Sequence, residues 1–216
     1  VMKSKIKILL VDDHLVVRAG FKMLLAAGDA IEVIGEAERG EQAIQLYQEL
    51  KPDILVMDLS MPGIGGLETI RRICQRDPAA KILVFSVHHE QVYVGRALNA
   101  GAQGYITKNS APGILAEAIA AIMDGGSYVE QGLIKSQHHN DAPRPDHQAA
   151  IAGFSPREFD VFSLLAQGMT VHKIADQLCL GHKTVANYAT QIKKKLQVDT
   201  TTELAHIAVN LGLTLR

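Results

Sequence analysis

Asp53-Ile54-Leu55-Val56-Met57-Asp58, followed by Leu59-Ser60-Met61-Pro62-Gly63, decides how this chain is read. Its first half is a short apolar run rich in β-formers, the pattern of a strand buried on both faces of a parallel sheet. The run ends on a carboxylate and a Pro/Gly turn. In open α/β sheets the functional crevice lies at the carboxyl ends of the strands, which puts Asp58 at its mouth. A lone strand-end Asp is explained equally well as a turn cap. Three further strand ends tip the balance. Ile6 to Val11 runs into Asp12-Asp13, Ile82 to Phe85 into Ser86, and Gln103 to Thr107 into Lys108. On one parallel sheet, three carboxylates, a hydroxyl and an ammonium form a single polar pocket.

Strand and helix signals alternate from residue 6 to 124, which predicts an α/β domain over residues 1–124 with a five-stranded, parallel, doubly wound sheet. Helices are expected over His14 to Ala27, Gly40 to Leu50, Gly66 to Arg76, Glu90 to Asn99 and Pro112 to Met123. Residues 125–153 form the connection. Within them Gln137 to Gly153 is polar and carries His138-His139, Pro143-Arg144-Pro145 and His147. Without acidic or Cys partners at ligand spacing, these histidines read as a solvated linker and not a metal site.

Residues 154–216 read as a small all-α domain of four helices. Ser155-Pro156-Arg157-Glu158 is a helix start, with Ser as N-cap, Pro at N1 and Glu closing a capping box. Thr170 caps a second helix, Leu180-Gly181 turns the chain, and His182 to Gln197 and Thr201 to Leu211 follow. Two helices joined by a tight Gly-containing turn predict helix-turn-helix. At about 100° per residue, Val185, Tyr188, Ala189, Ile192 and Leu196 fall on one stripe of the third helix. The opposite stripe holds Lys183, Asn187, Thr190 and Lys194, flanked by Ala186 and Gln191. Lysines suit phosphates, and Asn and Gln suit adenine edges.

Composition narrows the class. The chain has 216 residues, 47% of them hydrophobic and 21% charged, ordinary values for a globular protein. The net charge of −1 hides a mild excess at the end, where residues 155–216 carry 7 Lys+Arg against 5 Asp+Glu. No run approaches 18 apolar residues and the N-terminus lacks a signal-peptide pattern, so no membrane partner and a cytoplasmic location are expected. Cys74 and Cys179 stand alone, with no ligand spacing around either.

The pocket admits three chemistries. Gly63-Ile64-Gly65-Gly66 lacks the ending of a P-loop and the dinucleotide fingerprint, which counts against nucleotide binding. A carboxylate-rich pocket without His or Cys nearby suits a hard cation such as Mg²⁺. Asp can also act as a nucleophile and form an aspartyl phosphate, with a metal ion and Lys offsetting the developing charge. A phosphatase using Asp58 remains a rival, although Ser60 stands where such acid–base chemistry commonly places a second Asp.

Val11-Asp12-Asp13-His14, the run from Asp58 through Met61-Pro62 to Gly66, Ser86, and Gly104-Tyr105-Ile106-Thr107-Lys108 resemble the receiver domain of two-component response regulators. The resemblance implies that Asp58 accepts a phosphoryl group from a sensor histidine kinase. It implies Mg²⁺ at Asp12, Asp13, Asp58 and the Ser60 backbone carbonyl, phosphoryl contacts from Ser86 and Lys108, and a rotamer switch at Tyr105. Asn109 stands where many receivers carry Pro behind a cis bond. A short extra element is expected within Ser127 to Ser136.

Ser155-Pro156-Arg157-Glu158, Leu164-Leu165-Ala166-Gln167-Gly168, Lys173-Ile174-Ala175, Lys183-Thr184-Val185 and Lys194-Lys195-Leu196 resemble the LuxR-type helix-turn-helix. The whole chain is thus similar to NarL/FixJ-type response regulators. That implies a regulator, not an enzyme, which binds promoter DNA as a homodimer through Lys183, Thr184, Ala186, Asn187, Thr190, Lys193 and Lys194. The last helix, with Leu204, Ile207, Ala208 and Leu211, is expected to supply the dimer contact. The alternative is a receiver-bearing regulator or adaptor that works without phosphorylation.

Overall fold

Apolar strands alternating with helices build the first unit of the computed structural model, which describes residues 5–26, 30–110, 112–133 and 147–213. The strands are β1 (Ile6–Val11), β2 (Ile31–Ala37), β3 (Ile54–Met57), β4 (Ile82–Ser86), β5 (Gly104–Thr107) and β6 (Tyr128–Val129). Between them run α1 (Leu15–Ala26), α2 (Gly40–Leu50), α3 (Gly66–Arg76), α4 (Gln91–Ala100) and α5 (Pro112–Met123). All pairings are parallel, in the order β2-β1-β3-β4-β5-β6.

Strand alternation splits the core between two faces. Ile8, Leu10, Ile54, Val56, Leu83 and Ile106 join Phe21 of α1 and Leu115, Ile119 and Ile122 of α5 in one cluster. Their neighbours Leu9, Val11, Leu55, Met57 and Val84 are equally buried. A strand covered on both faces must be apolar throughout, and β3 is.

The sheet has six strands where five were expected. The sixth lies inside the segment that resemblance had marked for an extra element, and is two residues long, too short for any periodic signal. It lies beside Gly104 and Tyr105 of β5.

The second unit contains α6 (His147–Ala152), α7 (Pro156–Ala166), α8 (Val171–Leu178), α9 (His182–Leu196) and α10 (Thr201–Asn210). α6 falls in the stretch read as linker, yet Ile151 is buried. Its polar start and six-residue length hid it. His138, His139 and Pro143 to Pro145 lie outside the described residues.

Ser155 accepts from the Glu158 N–H while the Glu158 carboxylate accepts from the Ser155 N–H, so the expected capping box starts α7. Phe159, Phe162, Ile174, Val185, Ile192 and Leu196 form the core. Leu204, Ile207 and Ala208 are buried too, with α10 packed on α7. These three side chains stabilise their own domain and are not the dimer surface expected of them. Among the described residues, no helix is long and apolar enough to cross a membrane.

Candidate functional site

Asp58 reaches its position because β3 is paired on both sides and its chain leaves the sheet beside β1. The Asp58 N–H donates to Val11 O at 2.9 Å, and the Asp12 N–H to Ala37 O at 3.0 Å. The turn that follows needs its glycines. Gly63 and Gly65 hold φ of 84° and 76°, in the left-handed region that glycine favours. A Cβ on Gly66 would lie 2.3 Å from Asp58 O. These glycines fold the loop tightly over β3, a structural demand unrelated to phosphate cradling.

Asp12 and Asp58 are 1% and 2% exposed, and one ammonium serves both. Lys108 Nζ lies 2.8 Å from Asp58 Oδ2 and 2.5 Å from Asp12 Oδ2. Burial pushes the Asp58 carboxyl above its usual range. Lys108 pulls it down but Asp12 competes for the same cation and pushes it up, so burial prevails. Lys108 itself loses solvation yet gains from both carboxylates, and its pKa is raised. The Lys108 N–H donates to Ser86 O at 2.8 Å, fixing where the side chain begins. The Lys108–Asn109 peptide is trans.

The acidic side extends to Asp13 and to His14, so a histidine does lie near the pocket, contrary to the expectation of none, because it directly follows the acidic pair in the chain. His14 Nδ1 lies 2.8 Å from Asp13 Oδ1 and 3.3 Å from Asp12 Oδ1. One ligand atom each from Asp12, Asp13, His14 and Asp58 falls within a 4.8 Å cluster. Asp12 Oδ2 and Asp13 Oδ1 are buried and make no geometrically sound hydrogen bond, although each has a cationic or imidazole nitrogen in ion-pair range. Buried carboxylate oxygens that hydrogen bonding does not satisfy, both on residues at the end of β1 that cluster within 4.8 Å with Asp58 at the end of β3, fit a hard divalent cation.

Ser86 is fully buried and its Oγ accepts from the His88 N–H at 3.3 Å. Tyr105 is also fully buried, and its hydroxyl donates to His88 O at 2.8 Å. Ser60 donates its N–H to Asp58 Oδ1 at 3.3 Å, and its hydroxyl lies 2.8 Å from His88 Nε2.

His88 therefore touches Ser60, Ser86 and Tyr105, a role that sequence reasoning missed. Arg18 was missed as well. It is 5% exposed, donates to Asp12 O at 2.7 Å and is held by Glu36 and Glu38 at 3.0 and 2.7 Å. The available signal was its place three residues before Phe21, on the buried face of α1. A cation there needs polar partners.

In the second unit, Val185, Ile192 and Leu196 of α9 face the core, with Tyr188 and Ala189 half-buried beside them. Lys183, Thr184, Ala186, Asn187, Thr190 and Lys194 are exposed. Lys193 differs from this set: it is half-buried and its ammonium donates to Asp199 O at 2.9 Å. Lys195 is turned toward Glu158 at 2.6 Å and lies over the Phe154 ring. Thr190 Oγ1 donates back to Ala186 O at 3.0 Å. Gly181, at the N-cap, gives α9 no side-chain cap.

A buried Asp–Asp–Lys pocket at the carboxyl edge of a parallel sheet, joined to a helix-turn-helix, defines a class of two-domain regulator. The model for the response regulator receiver domain matches residues 8–120, and that for bacterial regulatory proteins of the luxR family matches residues 152–208. The chain belongs to the response regulators with a LuxR-type helix-turn-helix, of the NarL/FixJ type.

Among curated proteins it is 42% identical to the transcriptional activator protein ExaE of Pseudomonas putida, over 95% of this chain and 97% of that one. It is 36% identical to the response regulator GacA of Pseudomonas aeruginosa, over 96% and 97% of the two chains. Among solved structures it is similar to RcsB of Salmonella typhimurium, with TM-score 0.70, 25% identity and coverage of 97% and 99%. A structure of RcsB from Salmonella enterica serovar Typhimurium bound to a promoter in the presence of a phosphomimetic matches with TM-score 0.64, 25% identity and coverage of 98% and 99%.

Proposed function

We propose that this chain is a transcription regulator whose promoter binding is governed by phosphorylation of Asp58 by a sensor histidine kinase. The observation that carries the reading is the single Lys108 ammonium shared by buried Asp58 and Asp12. That arrangement leaves Asp58 with a nucleophilic oxygen, little solvent around it, and a cation ready to follow new negative charge. Residues 1–124 act as the receiver, 125–153 as the connection and 154–216 as the DNA-binding domain.

A carboxylate oxygen of Asp58 attacks phosphorus as the bond from phosphorus to the donor imidazole breaks, and the electron pair leaves with that nitrogen. Asp12, Asp13, Asp58 and the Ser60 backbone carbonyl would hold Mg²⁺, which would supply positive charge against the phosphoryl oxygens when bound. Lys108 turns from the Asp58 carboxylate to a phosphoryl oxygen, and the Ser86 hydroxyl donates to another. Moving Ser86 draws on the His88 N–H, and His88 O is the acceptor of the Tyr105 hydroxyl. The ring of Tyr105 is thereby coupled to the phosphoryl group.

In the output domain, Lys183, Thr184 and Lys194 meet phosphates, and Ala186, Asn187 and Thr190 face base edges. Lys193 joins them only by releasing Asp199. The protein binds as a homodimer, a reading supported by the similar RcsB, described as two dimers bound to two parallel DNAs.

Incubation with acetyl phosphate and Mg²⁺, followed by intact-mass measurement, tests the chemistry. The wild type should gain one phosphoryl group and Asp58→Asn none. Stoichiometric labelling of the variant would move the acceptor elsewhere.

A further inference from the structure

The mechanism leaves Glu130 unused, although its carboxylate is hydrogen-bonded into the loop that carries Lys108. Glu130 follows β6 directly. Its Oε2 accepts from the Thr107 N–H at 2.8 Å and from the Ser110 hydroxyl at 2.6 Å. Ser110 in turn closes the loop on itself. Its N–H donates to Thr107 O at 3.1 Å, and its Oγ, whose one proton goes to Glu130, is a second acceptor for the Thr107 N–H at 3.1 Å. Lys108 is the second residue of this four-residue turn. On the chain side, the Glu130 N–H donates to Tyr105 O at 3.0 Å, which continues the β5–β6 ladder by one residue. The carboxylate is therefore held by its own backbone on one side and clamps the Lys108 turn on the other.

We infer that Glu130 is a positioning residue for Lys108, a latch by which the first residues of the interdomain connection hold the phosphoryl-sensing loop in register. Glu130 adds to two other restraints on that loop, the Lys108 N–H bond to Ser86 O and the Ser110 turn, and among the described residues it alone ties the turn to the segment beyond β6. Thr107 ends β5, the next residues leave the sheet, and Asn109 is exposed. Two donors converging on one ionised oxygen are charge-assisted and stronger than neutral pairs. An ammonium at the end of a four-carbon stem is aimed well only if its Cα is fixed, and small misplacement of a charge-stabilising group slows transfer steeply. The latch also runs in reverse. When Lys108 moves toward a phosphoryl oxygen, the strain reaches Glu130, and with it the start of the segment leading to the second domain.

This inference rests on the Asp58 reading, so the test separates the two. Wild type, Asp58→Asn, Glu130→Ala and Glu130→Gln, all full-length, are labelled with acetyl phosphate and Mg²⁺. Amide hydrogen exchange is followed in parallel across residues 103–110. Glu130→Ala should label roughly tenfold more slowly than wild type, because loop order before the reaction is lost. Exchange at Thr107 should rise by about the same factor while Tyr105 stays protected. Glu130→Gln keeps one carbonyl oxygen for both donors and should recover most of the rate, a rescue that simple loss of fold would not allow.

Glu130→Ala labelling at the wild-type rate overturns the inference whatever the exchange shows, as does unchanged exchange at Thr107. If the wild type itself takes no label, the Asp58 reading fails on its own. The exchange result then decides the latch, with faster exchange at Thr107 upholding it and unchanged exchange removing it.

Discussion

In the receiver pocket Asp12, Asp58 and Lys108 are buried together, whereas along α9 Lys183, Asn187 and Lys194 stand in solvent. The pocket confines charge where water cannot screen it, so its groups depend strongly on one another and on what enters. The α9 face keeps its charges apart and hydrated, so each acts nearly alone until a polyanion arrives. Removing one group should therefore disturb the whole pocket but only one contact on the helix.

The largest effect is expected at Lys108. Lys108→Ala leaves two buried carboxylates without their cation and should destabilise the receiver by about 3 kcal/mol in EDTA. Part of that loss should return with millimolar Mg²⁺, measured by denaturant unfolding. A loss below about 0.5 kcal/mol would mean the pocket is far wetter than its burial indicates.

Glu158 is an intermediate case, since it is buried in the output domain but joined to the half-exposed Lys195. Burial works against its charge, but Lys195 and the Ser155 cap outweigh that and hold the carboxyl below its usual range. Glu158→Ala should cost about 2 kcal/mol at pH 7, about one from the capping box and one from the ion pair. A carboxyl with a depressed folded-state pKa stabilises above its unfolded value of 4.5 and loses that contribution as pH falls through the folded value. The Tm gap between wild type and variant should therefore be full at neutral pH and shrink below pH 4.5.

The smallest effects on stability belong to α9, whose exposed side chains act on DNA choice and affinity instead. Asn187→Ala should relax choice at one base pair by about 1–3 kcal/mol, read by selection from random DNA. Lys194→Ala should weaken all sequences about equally and flatten the salt dependence by roughly one counterion. If Asn187→Ala also weakens every sequence alike, it belongs with the phosphate contacts and the face is more uniform than its residue types indicate.

The two regions were also legible in the sequence to different depths. Asp12, Asp58, Ser86 and Lys108 could be found because each ends an apolar strand, and parallel strands must end at a common edge. The partners that hold them were not visible. Arg18 and His88 act through contacts between separate elements, and Glu130 acts through a two-residue strand that carries no period. In the output domain the exposed stripe of α9 followed from helical geometry alone. Leu204, Ile207 and Ala208 misled because a short helix shows its apolar face without showing what covers it, and here α7 does.

The link between the two regions is the central claim, and DNA affinity measured on the full-length chain tests it most directly. A promoter fragment is titrated at fixed salt with wild type and Asp58→Asn, each with and without acetyl phosphate in Mg²⁺. Wild-type affinity should rise about tenfold or more on phosphorylation, a coupling of about 1.4 kcal/mol, while the variant stays at the unphosphorylated value. A variant that responds as strongly as wild type, or a fully labelled wild type whose affinity does not change, would contradict control of DNA binding through Asp58.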